Sequence, residues 1–72
     1  MKIIDLRSKC NYINRVQYSE ENKSLEVNFK DNINYRYHDV PPLIFKKFIQ
    51  AEFPGKYFRH LIRDHFECSK LK

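Results

Sequence analysis

Four residues in the last third of the chain carry its sharpest chemical pattern. Lys56, Arg59, His60 and Arg63 stand at i, i+3, i+4 and i+7, so on a helix they form one continuous stripe. Cations at that spacing can follow a nucleic-acid backbone, each phosphate contact releasing counterions. Free backbone amides at Gly55, Lys56 and Tyr57 would add the positive end of a helix dipole, a ready place for a phosphate. Lys46 and Lys47, on an earlier helical stretch, extend the patch. An idle, solvated basic face is the competing reading, and Arg63 has Asp64 beside it and Asp39 as a further ion-pair partner.

Reaction chemistry is poorly represented. His60 and Asp64 lie one helical turn apart, a geometry that more often makes a surface pair than a catalytic dyad. Paired carboxylates, a glycine-rich phosphate loop and a serine with a plausible base are all missing from the sequence, so neither enzymatic activity nor a cofactor is expected. Cys10 and Cys68 are the only cysteines. They lack metal-ligand spacing, and two reduced thiols are expected, with one bridge tying the two ends together as the alternative. His38, His60 and His65 would join them in a zinc site only by coincidence.

The stripe needs a scaffold, and the scaffold turns on residues 32–42. Before Asn32 the apolar residues alternate; after Pro42 they recur at helical spacing. Ile33, Tyr35 and Tyr37 point one way along a strand, Asn34, Arg36 and His38 the other. Pro41 and Pro42 then stop the ladder and preset a helix start. Upstream, residues 24–30 are the cleanest strand, with Leu25, Val27 and Phe29 on one face and Glu26, Asn28 and Lys30 on the other. Residues 12–18 form the first strand, where Val16 and Tyr18 share a face that Ile13 joins only through a bulge. Residues 1–11 are a short strand or an arm packed on the domain.

Downstream, Ile44, Phe45, Phe48 and Ile49 predict a helix over 41–52, with Asp39 near its positive end. Pro54 enforces a break, and Tyr57, Phe58, Leu61, Ile62, His65 and Phe66 predict the apolar side of a second helix over 54–66. Residues 67–72 are expected to fray. The fold expected is α+β with two layers: a three-stranded antiparallel meander followed by two helices on one face (β-β-β-α-α). Arg15, Gln17, Glu26, Asn28, Lys30, Arg36 and His38 suit the open sheet face. Tyr35 and Tyr37 pair with Ile33 and suit the buried one; on the open face they would instead be stacking platforms for single-stranded RNA.

Seventy-two residues allow one domain, 1–72. Eleven aromatics against a single glycine supply large side chains for a small core. No apolar run is long enough to span a membrane, and Asp5 and Arg7 interrupt any leader-like start, which makes the cytoplasm the expected compartment. The net charge of +5 is uneven: residues 1–40 hold seven Lys or Arg against six Asp or Glu, and residues 41–72 hold seven against three. The basic character therefore belongs to the helical half and points to an anionic partner.

Leu25-Glu26-Val27-x-Phe29, then Tyr35-Arg36-Tyr37-x-x-Val40-Pro41, then Ala51, Gly55-x-Tyr57-Phe58 and Ile62-Arg63 resemble the KTSC family, a small domain named for the C-terminus of some lysyl-tRNA synthetases. The resemblance covers about residues 12–68. It implies RNA binding through the family's company with synthetases, and it brings no catalytic residues. Two positions depart from its pattern: a glycine before the third strand is replaced near Asn32-Ile33, and a serine two residues before the helix-two glycine is Phe53. The function expected is a non-enzymatic, RNA-binding module, tRNA-like RNA included, contacted through the basic face of helix two. The alternative is a protein-interaction adaptor using a strand edge or the open sheet face. Neither a membrane nor a small-molecule substrate is expected as a partner.

Overall fold

The structure, a computed structural model, describes residues 2–71. Its elements are β1 (Lys2–Asp5), β2 (Ile13–Ser19), β3 (Ser24–Phe29), β4 (Asn34–Tyr37), α1 (Pro42–Gln50), α2 (Pro54–Leu61) and β5 (Cys68–Leu71). The strands form one antiparallel sheet in the order β1-β2-β3-β4-β5, with both helices inserted between β4 and β5. The expected meander is thus the centre of a five-stranded sheet, and the α+β, two-layer character holds.

Alternation decides which face is buried. Tyr18, Leu25 and Tyr37 lie opposite one another across β2, β3 and β4, as do Val16, Val27 and Tyr35, and these two rows face the helices. Gln17, Glu26 and Arg36 form a row on the other face. A register shift between Ile13 and Arg15 supplies the bulge that brings Ile13 to the core side with Val16 and Tyr18. Tyr37 is 3% exposed and Tyr35 half-buried, so both rings belong to the core layer.

Helices of nine and eight residues are too short to be stable alone; apolar anchors hold them. Phe45 of α1 stacks on Tyr18 at 4.4 Å, while the Tyr18 hydroxyl donates to the Val40 carbonyl at 2.6 Å. Phe58 of α2 meets Phe29, Tyr37 and Phe48 with ring centroids at 5.7, 5.5 and 6.1 Å. Among the described residues, no helix is long and apolar enough to cross a membrane.

Several expectations are corrected. The 67–72 stretch does not fray: Cys68–Leu71 pairs with β4, and the His38 amide donates to the Glu67 carbonyl at 2.8 Å, while Lys72 lies outside the described residues. That strand covers the edge β4 would otherwise leave open and gives its backbone groups partners. At the other edge, β1 is a strand paired with β2. Helix one ends at Gln50, since Ala51 is already extended (φ −65°, ψ 142°). Helix two ends at Leu61, not Phe66. Ile62 leaves the helical region, its amide and that of Arg63 both bond the Phe58 carbonyl, and the His65 ring Nε2 donates to the His60 carbonyl. Leu61 and His65 accordingly face solvent, and only Tyr57, Phe58, Ile62 and Phe66 pack inward.

Asp39 is not a helix-dipole partner. It precedes the cap residue Pro41 by two positions and turns the chain with φ 58°. Asn32, in the turn before β4, adopts φ 64°, and Asn is among the few residues that tolerate this region. Asn32→Val should therefore lower stability by about 1–2 kcal/mol, whereas Asn32→Gly should be neutral or slightly stabilising; urea unfolding midpoints of the two variants check this.

Candidate nucleic-acid interface

At one end of the sheet, the β1–β2 loop, the start of the β3–β4 turn and the first turns of α2 enclose an open hollow of about 640 Å³. Its lining includes Arg7, Lys9, Lys30, Lys56 and Arg59, together with Tyr12 and Phe53, and among the described residues no acidic one. Each segment is fixed by a specific anchor. In the loop, buried Leu6 and Cys10 point inward, and the Cys10 amide donates to the Leu6 carbonyl at 2.9 Å, which holds Lys9 on the rim. The Lys30 amide donates to the Tyr12 carbonyl at 3.1 Å, tying the β3 exit to the loop. The Tyr12 hydroxyl donates to the Gly55 carbonyl and so ties the loop to α2. Burial raises the Tyr12 pKa, which keeps that donor protonated.

Gly55 allows α2 to come this close. A Cβ there would lie 2.8 Å from Cys10 Sγ and 2.9 Å from Tyr12 Cε1, closer than packed atoms tolerate. The contact also buries the Cys10 thiol; both cysteines are free, and Cys68 is exposed at the sheet edge.

The cations differ in availability. Arg7 grips Asp5 through the Nε–Nη2 edge of its guanidinium, at 2.7–3.1 Å, and its hydrogen bonds hold the Asp5 carboxyl at about 2. The pair is ionised at any pH used for binding, and Arg7 is largely spent on it. Among the described residues, Lys9, Lys30, Lys56 and Arg59 have no carboxylate within 4.0 Å. Arg59 instead lies over the Tyr12 ring at 5.7 Å, a cation–π contact that orients the guanidinium without neutralising it.

This changes the stripe read from the sequence. Lys56 and Arg59 share the hollow, but His60 and Arg63 do not line it. Arg63 lies beyond the end of α2, with Asp64 at 3.7 Å in an exposed pair of little energetic weight. Lys46 borders a different concavity with Lys2 and Glu20, and Lys47 is exposed on α1 outside the hollow. Of the three α2 amides expected to be free, those of Lys56 and Tyr57 are not: both donate to the Phe53 carbonyl at 3.1 Å. The N-terminal half supplies Arg7, Lys9 and Lys30, so the basic character is not confined to the helical half. Lys30 lies here and not on the open sheet face.

The family model of the KTSC domain matches residues 10–66. The chain belongs to the KTSC domain family. The match holds Tyr12, Lys30 and all of α2, whereas β1, Lys9 and β5 lie outside it. This KTSC domain is 30% identical over 63 residues to an uncharacterized protein of Stutzerimonas stutzeri (strain A1501), covering 88% of this chain and 86% of that one. It is similar to the crystal structure of a KTSC domain protein from Yersinia pestis, with a TM-score of 0.84, 28% identity, and coverage of 88% and 89% of the two chains.

Phe53 is the cap residue of α2; it makes no side-chain capping bond and is 63% exposed on the rim of the hollow. Phe53→Ser should stabilise the KTSC domain by about 1 kcal/mol, since a hydroxyl there can accept from the Gly55 amide, which the Phe53 carbonyl does not take, and the lost ring has little burial to forfeit. A higher urea midpoint at unchanged slope is the expected result.

Proposed function

We propose that this KTSC domain is a non-enzymatic, cytoplasmic nucleic-acid-binding module whose partner is RNA, tRNA-like RNA included, held by its backbone. The observation that carries the reading is the convergence of Lys9, Lys30, Lys56 and Arg59, from three separate chain segments, on one hollow without an acidic lining residue among those described. Charges idle on a surface do not require such gathering. A like-charged cluster is unfavourable without an anion to answer it, and phosphates supply one at regular intervals. Binding of this kind is directed by phosphate position and shape, with base identity secondary. Two free thiols in so small a domain support a reducing compartment.

The test is equilibrium titration of a labelled tRNA at increasing salt. Four phosphate contacts give a slope of log K against log salt of about −3 to −4. A slope near zero, or no affinity at low salt, rules the reading out. One observation favours a second reading as a protein adaptor: Ile3 is 63% exposed on β1, a strand paired on one side only among the described residues, and such edges can add a partner's strand. An adaptor would respond to Ile3→Lys and ignore salt.

A further inference from the structure

Beside the basic hollow lies a second one of about 410 Å³, lined by Tyr12, Phe29, Lys30, Asp31, Ile33 and Tyr35. The two share Tyr12 and Lys30, so they form adjoining compartments of one groove. We propose that this second compartment receives an unpaired base, making the RNA partner single-stranded at the site; the inference rests on the phosphate-binding reading of the first compartment.

Three observations support it. The rings of Tyr12, Phe29 and Tyr35 are half-buried, so they floor the compartment while keeping surface open to a ligand. Phe29 is clamped between the other two, parallel to Tyr12 at 6.3 Å and edge-on to Tyr35 at 5.8 Å, which holds the floor rigid. Exposed aromatic rings beside a cationic track are how single strands are bound, because every unpaired base has a face to stack. The charges also sort the ligand. Asp31 lines only the second compartment, where it offsets the shared Lys30 and disfavours a phosphate, while the further cations next door attract one. Asp31 Oδ1 accepts from the Ile33 amide at 3.2 Å, leaving the other carboxylate oxygen to accept from a base amino or imino group. An RNA duplex, with its base faces stacked and its major groove too deep and narrow for a side chain, does not offer these groups to the compartment.

The experiment compares three labelled probes against the full chain: an eight-nucleotide single-stranded oligocytidine, an abasic backbone of the same length, and a blunt RNA duplex. The oligocytidine should bind about tenfold more tightly than the abasic backbone and should quench the tyrosine emission, which is readable because the chain has no tryptophan. Tyr35→Leu should reduce that preference while leaving the abasic affinity unchanged. Equal affinity for the oligocytidine and the abasic backbone, or tighter binding of the duplex, overturns the base site and leaves the phosphate reading standing. Failure of all three probes to bind overturns both.

Discussion

Reversing Lys56 and Arg59 together to glutamate should weaken RNA binding by two orders of magnitude or more while leaving the fold intact. Both side chains are exposed, and neither is paired with a carboxylate among the described residues. Neither belongs to the apolar core, so the thermal midpoint should move by a few degrees at most. Each lost charge-assisted contact is worth about tenfold in affinity. The double reversal takes the cationic lining of Arg7, Lys9, Lys30, Lys56 and Arg59 from five positive charges to a net of one. Arg59→Glu should be the larger single change, because it also removes the contact over Tyr12. The discriminating controls are Arg63→Glu and Lys46→Glu, which lie outside the hollow. Anisotropy titrations should show little change for either, and an Arg63→Glu loss equal to that of Arg59→Glu would mean that the contact follows the stripe and not the hollow.

Phe58→Ala should unfold most of the population at 37 °C. Phe58 is 1% exposed and is the ring against which β3, β4 and α1 all close, through Phe29, Tyr37 and Phe48. Truncating such a residue costs about 3–5 kcal/mol, against a total of roughly 5–15 kcal/mol for a domain. A chain this short sits toward the low end of that range. In a domain this size the thermal midpoint should fall by tens of degrees, and RNA binding should fail with it, because α2 has too few residues to stay helical alone. Phe58→Leu keeps much of the volume and should retain a cooperative transition. Calorimetry of the two variants is the measurement, and a Phe58→Ala midpoint within a few degrees of the parent would show that the three rings close without their hub.

What could be seen in the sequence was the part set by local pattern. Residues Leu25 to Phe29 alternate without a fault, and β3 is where they place it. The parity conflict between Ile13 and Val16 marked the bulge in advance. β5 carried no such mark: Cys-Ser-Lys-Leu has neither alternation nor β-branched residues, and what identifies it as a strand is its pairing along the edge of β4. The apolar spacing of Leu61, Ile62 and Phe66 runs on past the true end of helix two. The chain must still leave the helix to reach the sheet edge, and a spacing rule cannot see that. The site divides in the same way. Lys56 and Arg59 were legible from helical periodicity, while Lys9 and Lys30 reach the hollow through hydrogen bonds between segments distant in sequence. Two local signals did exist, namely the rigid Tyr12 just after Lys9 and a lone glycine at the start of α2.

The face of the sheet turned away from the helices has its own consequence. Asn14 Nδ2 donates to Asn28 Oδ1 at 3.0 Å, and Asn28 Nδ2 donates to Asn34 Oδ1 at 2.8 Å, a relay of amides across β2, β3 and β4. Sliding β3 by one residue would bury Glu26 in place of Val27, so hydrophobicity alone forbids it. Sliding it by two would keep every apolar side chain indoors, and hydrophobicity would raise no objection. That slip would, however, strand Asn28, which is almost fully enclosed, with neither amide partner. Three asparagines thus serve as the vernier of the sheet, rejecting the one misalignment that greasy contacts would accept.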